Sequence, residues 1–148
     1  MQRLTRLPLT LFRIQPQLPV ALRDYDTQMA LKRSSFDLKT HDGLVLPEKG
    51  DVFRVPNGMS LRPAGVTMAN ILTGFRGEPT IYRFQANMEI PADLALYHEH
   101  TDHYSLQTGV PISLEELNQR LTEILRSLPT QTREEWLAEW NDPDYQDN

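Results

Sequence analysis

The chain has no cysteine, and that one absence excludes disulfides, thiolate zinc sites and cysteine nucleophiles together. It also lacks any apolar run of the roughly 18 residues that a membrane span requires, so neither a transmembrane helix nor a membrane partner is expected. The opening "MQRLTRLPLTLFRI" is broken by Pro8 and Arg13, so no classical export signal is expected. The expected location is the cytoplasm, or a target cell reached without such a signal. A concentrated stripe of Lys and Arg is missing too, which argues against nucleic acid as a partner.

What is present suits a soluble globular protein. The length of 148 residues fits a single domain spanning the whole chain, and the acidic residues 142–148 read as a loose tail. The net charge of −5 is unevenly spread. Residues 1–40 hold seven Lys and Arg against three Asp and Glu, while residues 86–148 hold three against thirteen. A basic first half can face an anionic ligand, or simply be a surface bias.

Periodicity gives the coarse organisation. "LTLFRIQ" (9–15) alternates as a strand, with Leu9, Leu11 and Arg13 on one face and Thr10, Phe12 and Ile14 on the other. "RDYDTQMALKRSSFD" reads as a short helix or a loop, and "THDGLVLPEKGD" as a turn, a short strand and a loop. "DVFRVPNGMSLRP" reads as two extended pieces broken at Pro56-Asn57-Gly58, and "VTMANILTGF" as a short helix starting near Thr67. "IYRFQANMEI" is the clearest strand, with Tyr82, Phe84, Ala86, Met88 and Ile90 on its buried face. "LALYHEH" and "HYSLQ" are extended segments around Thr101-Asp102, either a hairpin or one bent strand. Ser113 and Glu116 then form a capping box for an amphipathic helix over 114–128, and Thr132 and Glu135 repeat it for a short helix with Trp136, Leu137 and Trp140.

The hexad "HEHTDH" (98–103) fits the H-x-H-x-D-H zinc signature of the metallo-beta-lactamase superfamily through His98, His100, Asp102 and His103. Such a site needs further ligands from a second half of the fold. After His103 the chain has no histidine, and His41 is the only other one. Histidines packed or solvated beside a strand are the simpler reading, so no metal is expected, with a zinc-dependent hydrolase on these four residues as an alternative.

A longer phrase carries a second resemblance. "IPADLALYHEHTDHYSLQTGVPISLEELNQRL", with "LTLFRI", "DGLVLP" and "PNGMSLRP" upstream, resembles the Tse-type effectors of type VI secretion, the second toxin of that series, and the related ADP-ribosyltransferase toxins. The likeness runs over about residues 9–128, and its most specific parts are N-G-x-S-x-R-P (57–63) and E-H-x-D-H-Y-S-L-Q (99–107). The resemblance implies an α+β fold, an ADP-ribosyltransferase-like split and bent β-sandwich with flanking helices. It also implies a toxin that takes NAD as substrate, a macromolecular acceptor of unknown identity, and a neutralising immunity or antitoxin protein.

Breaking the bond from ribose to nicotinamide creates an oxocarbenium-like sugar, so such an enzyme must hold the diphosphate, stack the nicotinamide and contact the ribose hydroxyls. Arg13 suits the first task, because a guanidinium forks onto phosphate oxygens, although a strand arginine is also ordinary. Ser60 matches the family's N-G-x-S segment and reads as a ribose contact or a turn serine; Arg62 reads as an assisting cation or a plain surface charge. In "HYSLQ" one strand face presents His103, Ser105 and Gln107, with Tyr104 and Leu106 opposite. Many transferases of this fold carry a catalytic glutamate there, and Gln107 supplies no charge in its place. Glu99 is the nearest carboxylate, and it serves only if the chain bends at Thr101-Asp102. Tyr104, Tyr82 or Phe84 offers a ring to nicotinamide, or packs the core. The catalytic candidates are therefore Arg13, Ser60, His103 and Gln107, with Arg13, Ser60, Arg62, Tyr104 and Ser105 for NAD binding, in a pocket between the first strand and "HYSLQ". A non-catalytic partner-binding protein on the same fold is the other alternative.

Overall fold

Leu11 and Phe12 are neighbours in sequence and both are buried, which requires a strand covered by protein on its two faces. The computed structural model shows how. It describes residues 1–49 and 52–145, so part of the predicted loop ending at Asp51 and the last three residues of the predicted tail lie outside the described residues. In chain order the elements are β1 (Gln2–Leu4), β2 (Leu11–Gln15), α1 (Tyr25–Ala30), β3 (Leu44–Val45), β4 (Met59–Leu61), α2 (Val66–Gly74), β5 (Thr80–Phe84), β6 (Leu94–His100), β7 (His103–Thr108), β8 (Ile112–Ser113), α3 (Leu114–Arg126), β9 (Thr130–Thr132) and α4 (Arg133–Trp140).

The strands form a four-stranded sheet in the order β1-β6-β7-β4, a three-stranded sheet β2-β5-β9 and a small β3-β8 ribbon, all antiparallel. The α+β architecture expected from the sequence is the one observed. Leu11, Tyr82 and Phe84 of the smaller sheet share the main core with Met59, Leu61, Leu96, Tyr104 and Leu106 of the larger sheet and with Leu117, Leu121 and Leu125 of α3. The other face of the smaller sheet, through Phe12 and Ile81, packs on Met68 and Leu72 of α2 and Trp136 of α4. Strict alternation along β2 thus feeds two cores.

The caps fall where the sequence puts them. Ser113 Oγ accepts from the Glu116 N–H at the head of α3, and Thr132 and Glu135 form a reciprocal capping box at α4. Two expectations need correction. The segment before Pro56 is not extended strand: Val52 and Val55 are exposed, and only Met59–Leu61 pairs. The strand read over 81–90 stops at Phe84. There the Ala86 N–H turns to Thr10 Oγ1 and Asn87 takes φ 72°, so the ladder ends although burial keeps alternating. Within the acidic tail the Tyr145 N–H donates to the Asp142 carbonyl and its ring meets Trp140 at 5.7 Å.

What positions the site is the seam between the sheets. Phe12 and Arg62 exchange both backbone hydrogen bonds, at 2.8 and 3.1 Å, which sets β2 beside β4. By register Ile14 and Ser60 would pair next. Instead the strands part, and the Ser60 carbonyl accepts from Arg13 Nη1 at 3.3 Å.

Candidate functional site

A cavity of about 440 Å³ opens where β2 and β4 separate, with Phe12 on its lining together with Met68, Ile71 and Phe75 of the α2 region. Its volume lies in the range of small-molecule sites. Arg13, Arg23 and Arg62 line it with Asp37 as the sole carboxylate among the lining residues, so the lining carries a net positive charge, which suits an anionic ligand. Arg13 is fixed by two bonds, Nε to Gln15 Oε1 at 3.0 Å and Nη1 to Ser60 O, while its other N–H donors are not used in those bonds. Burial pushes its guanidinium down to about 10, with Asp37 opposing and Arg23 adding to the fall, so it stays charged at neutral pH. Arg23 forks onto Asp37 through Nε and Nη2, both at 3.0 Å, and is thereby held at the cavity mouth.

Ser60 faces the same cavity from β4. Its hydroxyl lies 2.9 Å from His103 Nε2. Behind the ring, His103 Nδ1 is 3.3 Å from Glu99 Oε1, a side chain almost wholly buried. This contact exists because the hairpin bends. A bulge lies between His98 and His100, and Thr101 adopts φ 42°, which returns the chain so that His100 pairs with His103. Burial drives Glu99 up to about 7, partly opposed by a hydrogen bond with Ser105 and aided by Glu48. Burial also drives His103 down to about 4, with Arg62 and His100 adding to the fall and Asp102 opposing it.

The expected residues therefore divide. Arg13, Ser60 and Arg62 line the cavity, and His103 is joined to it through Ser60. Ser105 and Gln107 lie on the His103 side of β7, buried and bonded to each other, with Gln107 Oε1 also accepting from Asn57 Nδ2 at 3.3 Å. Tyr104 points the other way into the main core, where burial raises its hydroxyl. None of these three lines the cavity. The pocket expected between the first strand and "HYSLQ" is bounded instead by β2 and β4, because β4 intervenes between β2 and β7. Arg23, Asp37 and Phe75 line it without having been singled out in the sequence.

The hexad's histidines go three ways. His98 stacks on Tyr104 at 4.3 Å and donates from Nε2 to the Thr101 carbonyl at 2.7 Å. His100 is exposed against Phe53, and Asp102 pairs with Arg62 at 3.2 Å. Among the described residues no group of three or more His, Asp or Glu is placed to hold a metal ion. No helix is long and apolar enough to cross a membrane among them either.

Comparison with known proteins supplies the class. The family model for the Tse2 ADP-ribosyltransferase toxin matches residues 9–136, spanning both walls of the cleft and the Glu99 hairpin. ADP-ribosyltransferases use NAD as substrate and act on a macromolecular target. The chain belongs to the Tse2 ADP-ribosyltransferase toxin family. The comparisons with curated proteins and with solved structures each found no match.

Proposed function

We propose that the cleft between β2 and β4 binds NAD and cleaves its ribose–nicotinamide bond, passing ADP-ribose to a macromolecular acceptor. The observation that carries this reading is Arg13, a cation fixed by Gln15 and the Ser60 carbonyl on the wall of a cavity that also presents the Ser60 hydroxyl. In this reading Arg13 clamps the diphosphate, and Arg62 adds positive charge. Phe75, partly exposed on the cavity wall, offers a ring for a base to stack on. The Ser60 hydroxyl contacts the nicotinamide ribose while His103 Nε2 holds that hydroxyl from behind. The glycosidic C–N bond breaks, nicotinamide leaves with the bonding pair, and the acceptor's nucleophilic atom bonds the ribose carbon as it loses a proton.

Ser105, Gln107 and Tyr104 then act as support: the first two brace the strand that carries His103, and the third anchors it in the core. A neutralising protein partner belongs to the same reading. The test is nicotinamide release from NAD in the presence of cell lysate. Arg13→Ala and Ser60→Ala should each abolish release while the proteins keep their circular dichroism, and undiminished release by both variants would overturn the assignment.

A further inference from the structure

The cavity wall offers no free carboxylate to a developing sugar cation, since Asp37 is held by both Nε and Nη2 of Arg23. The carboxylate that is available sits one layer back. We propose that Glu99 is a positioning residue of the site: its buried carboxylate orients the His103 imidazole through Nδ1, so that Nε2 remains an acceptor for the Ser60 hydroxyl. The proposal rests on the NAD-cleaving reading above for its catalytic consequence, though the geometry it invokes stands by itself.

Two buried atoms point to this role. Glu99 Oε2 and His103 Nδ1 both lack a hydrogen-bond partner among the described residues, although Nδ1 is only 3.3 Å from the other carboxylate oxygen, Oε1. Buried polar groups are seldom left unsatisfied, and the deficit here falls on two side chains in contact. A small turn of the imidazole about its side-chain bonds aligns Nδ1–H with the carboxylate, and contacts of this kind commonly tighten when a ligand fills the site. On the far side of the ring Nε2 already has Ser60 Oγ as its partner, at 2.9 Å.

The surroundings favour that proton arrangement. Burial disfavours a charged imidazole and holds His103 neutral near pH 7, so the ring has one N–H to place. With that hydrogen on Nδ1, it faces the carboxylate and relieves part of the cost of burying it. With it on Nε2, a bare Nδ1 lone pair would face the carboxylate oxygen. Gln107 Nε2 donates to Ser105 Oγ, which leaves the Ser105 proton for the Glu99 carboxylate. On the neighbouring residues of the hairpin, the Tyr97 hydroxyl donates to the Glu48 carbonyl, and the Phe53 ring meets His100.

The experiment is nitrogen-15 NMR of the histidine rings in the full chain, without substrate, at a pH above the titration of both groups. Wild type should show His103 with hydrogen on Nδ1 and a bare Nε2. In Glu99→Gln the amide oxygen takes the Ser105 proton and the amide N–H₂ faces Nδ1, so the hydrogen should move to Nε2. Glu99→Ala, which leaves the ring unanchored, should show a mixture. Nicotinamide release should fall at least about tenfold in kcat in both variants, with KM for NAD little changed, because Glu99 does not line the cavity. A His103 tautomer that is the same in all three proteins overturns the proposal, as does an Nε2–H ring in wild type. If wild type releases no nicotinamide, the NAD-cleaving reading fails while the tautomer result still decides the role of Glu99.

Discussion

Arg13 Nη1 and the Ser60 main-chain oxygen lie 3.3 Å apart, in the place where a strand-to-strand hydrogen bond would otherwise continue the pairing of β2 with β4. A side chain thus replaces a peptide N–H, and the space gained is the cleft. Lysine at this position would keep a positive charge but lose the fork that binds Gln15 and Ser60 together. Arg13→Lys should therefore weaken NAD binding about tenfold or more, an effect of one charge-assisted hydrogen bond, as read by titration calorimetry. Equal affinity in the two proteins would remove Arg13 from the binding site.

Gly58 sets the height of β4 against β7. A Cβ there would come within 2.4 Å of the Leu106 carbonyl oxygen and 2.9 Å of Gln107 Cγ. The first neighbour is backbone and cannot step aside. Gly58→Ala should lower stability by about 2 kcal/mol through overpacking, measured as a lower urea midpoint with an unchanged slope.

The pH dependence of stability should expose the Glu99–His103 pair. An ordinary glutamate titrates at 4.5 and Glu99 at about 7, so between these values the folded chain holds a proton that the unfolded chain has released. Its contribution to stability therefore falls as pH rises through that window. His103 does the reverse: its value drops from 6.5 to about 4, the unfolded chain binds the extra proton, and stability rises with pH between the two. The slopes oppose each other in wild type. Glu99→Gln removes the first, so its stability relative to wild type should increase from pH 4.5 to 7 and then level off. Denaturant midpoints whose difference is constant across that range would contradict the assigned shift.

Trp136 couples the last helix to the cleft. It is 2% exposed, meets Phe12 edge-on at 5.8 Å and stacks with Trp140 at 5.9 Å. Phe12 in turn lines the cavity. Trp136→Ala should cost about 3–5 kcal/mol by calorimetric or denaturant unfolding and weaken NAD binding with it. Trp136→Phe should recover most of both, and a destabilised Ala variant that binds NAD normally would show that the wall does not depend on this support.

The elements that local rules govern are legible in the sequence. β2 alternates with a period that lets Leu11 and Phe12 serve different cores, and α3 and α4 announce themselves by their caps. The hairpin turn at Thr101-Asp102 was open to sequence reading as well. What escaped was long-range: Arg23 and Asp37 belong to a charge pair spanning fourteen residues, and Phe75 joins the cleft only because α2 folds over it. The burial of Glu99 depends on a bulge, and a hexad of chemically suggestive residues gives no hint of one. Tyr104 has a ring suited to nicotinamide, yet strand alternation sends it to the opposite face from His103, and it packs in the core.

The reciprocal peptide pair of Phe12 and Arg62 works like the pin of a pair of shears. Each blade has its own ladder, β2 with β5 and β4 with β7, so a change in the angle at the pin leaves both ladders whole. The gape between the blades is thus set at the pin and at the single bond from Arg13 Nη1 to the Ser60 carbonyl beside it. Proline at either pin residue would remove a donor there and unfasten the jaws while leaving the chemistry on each blade in place.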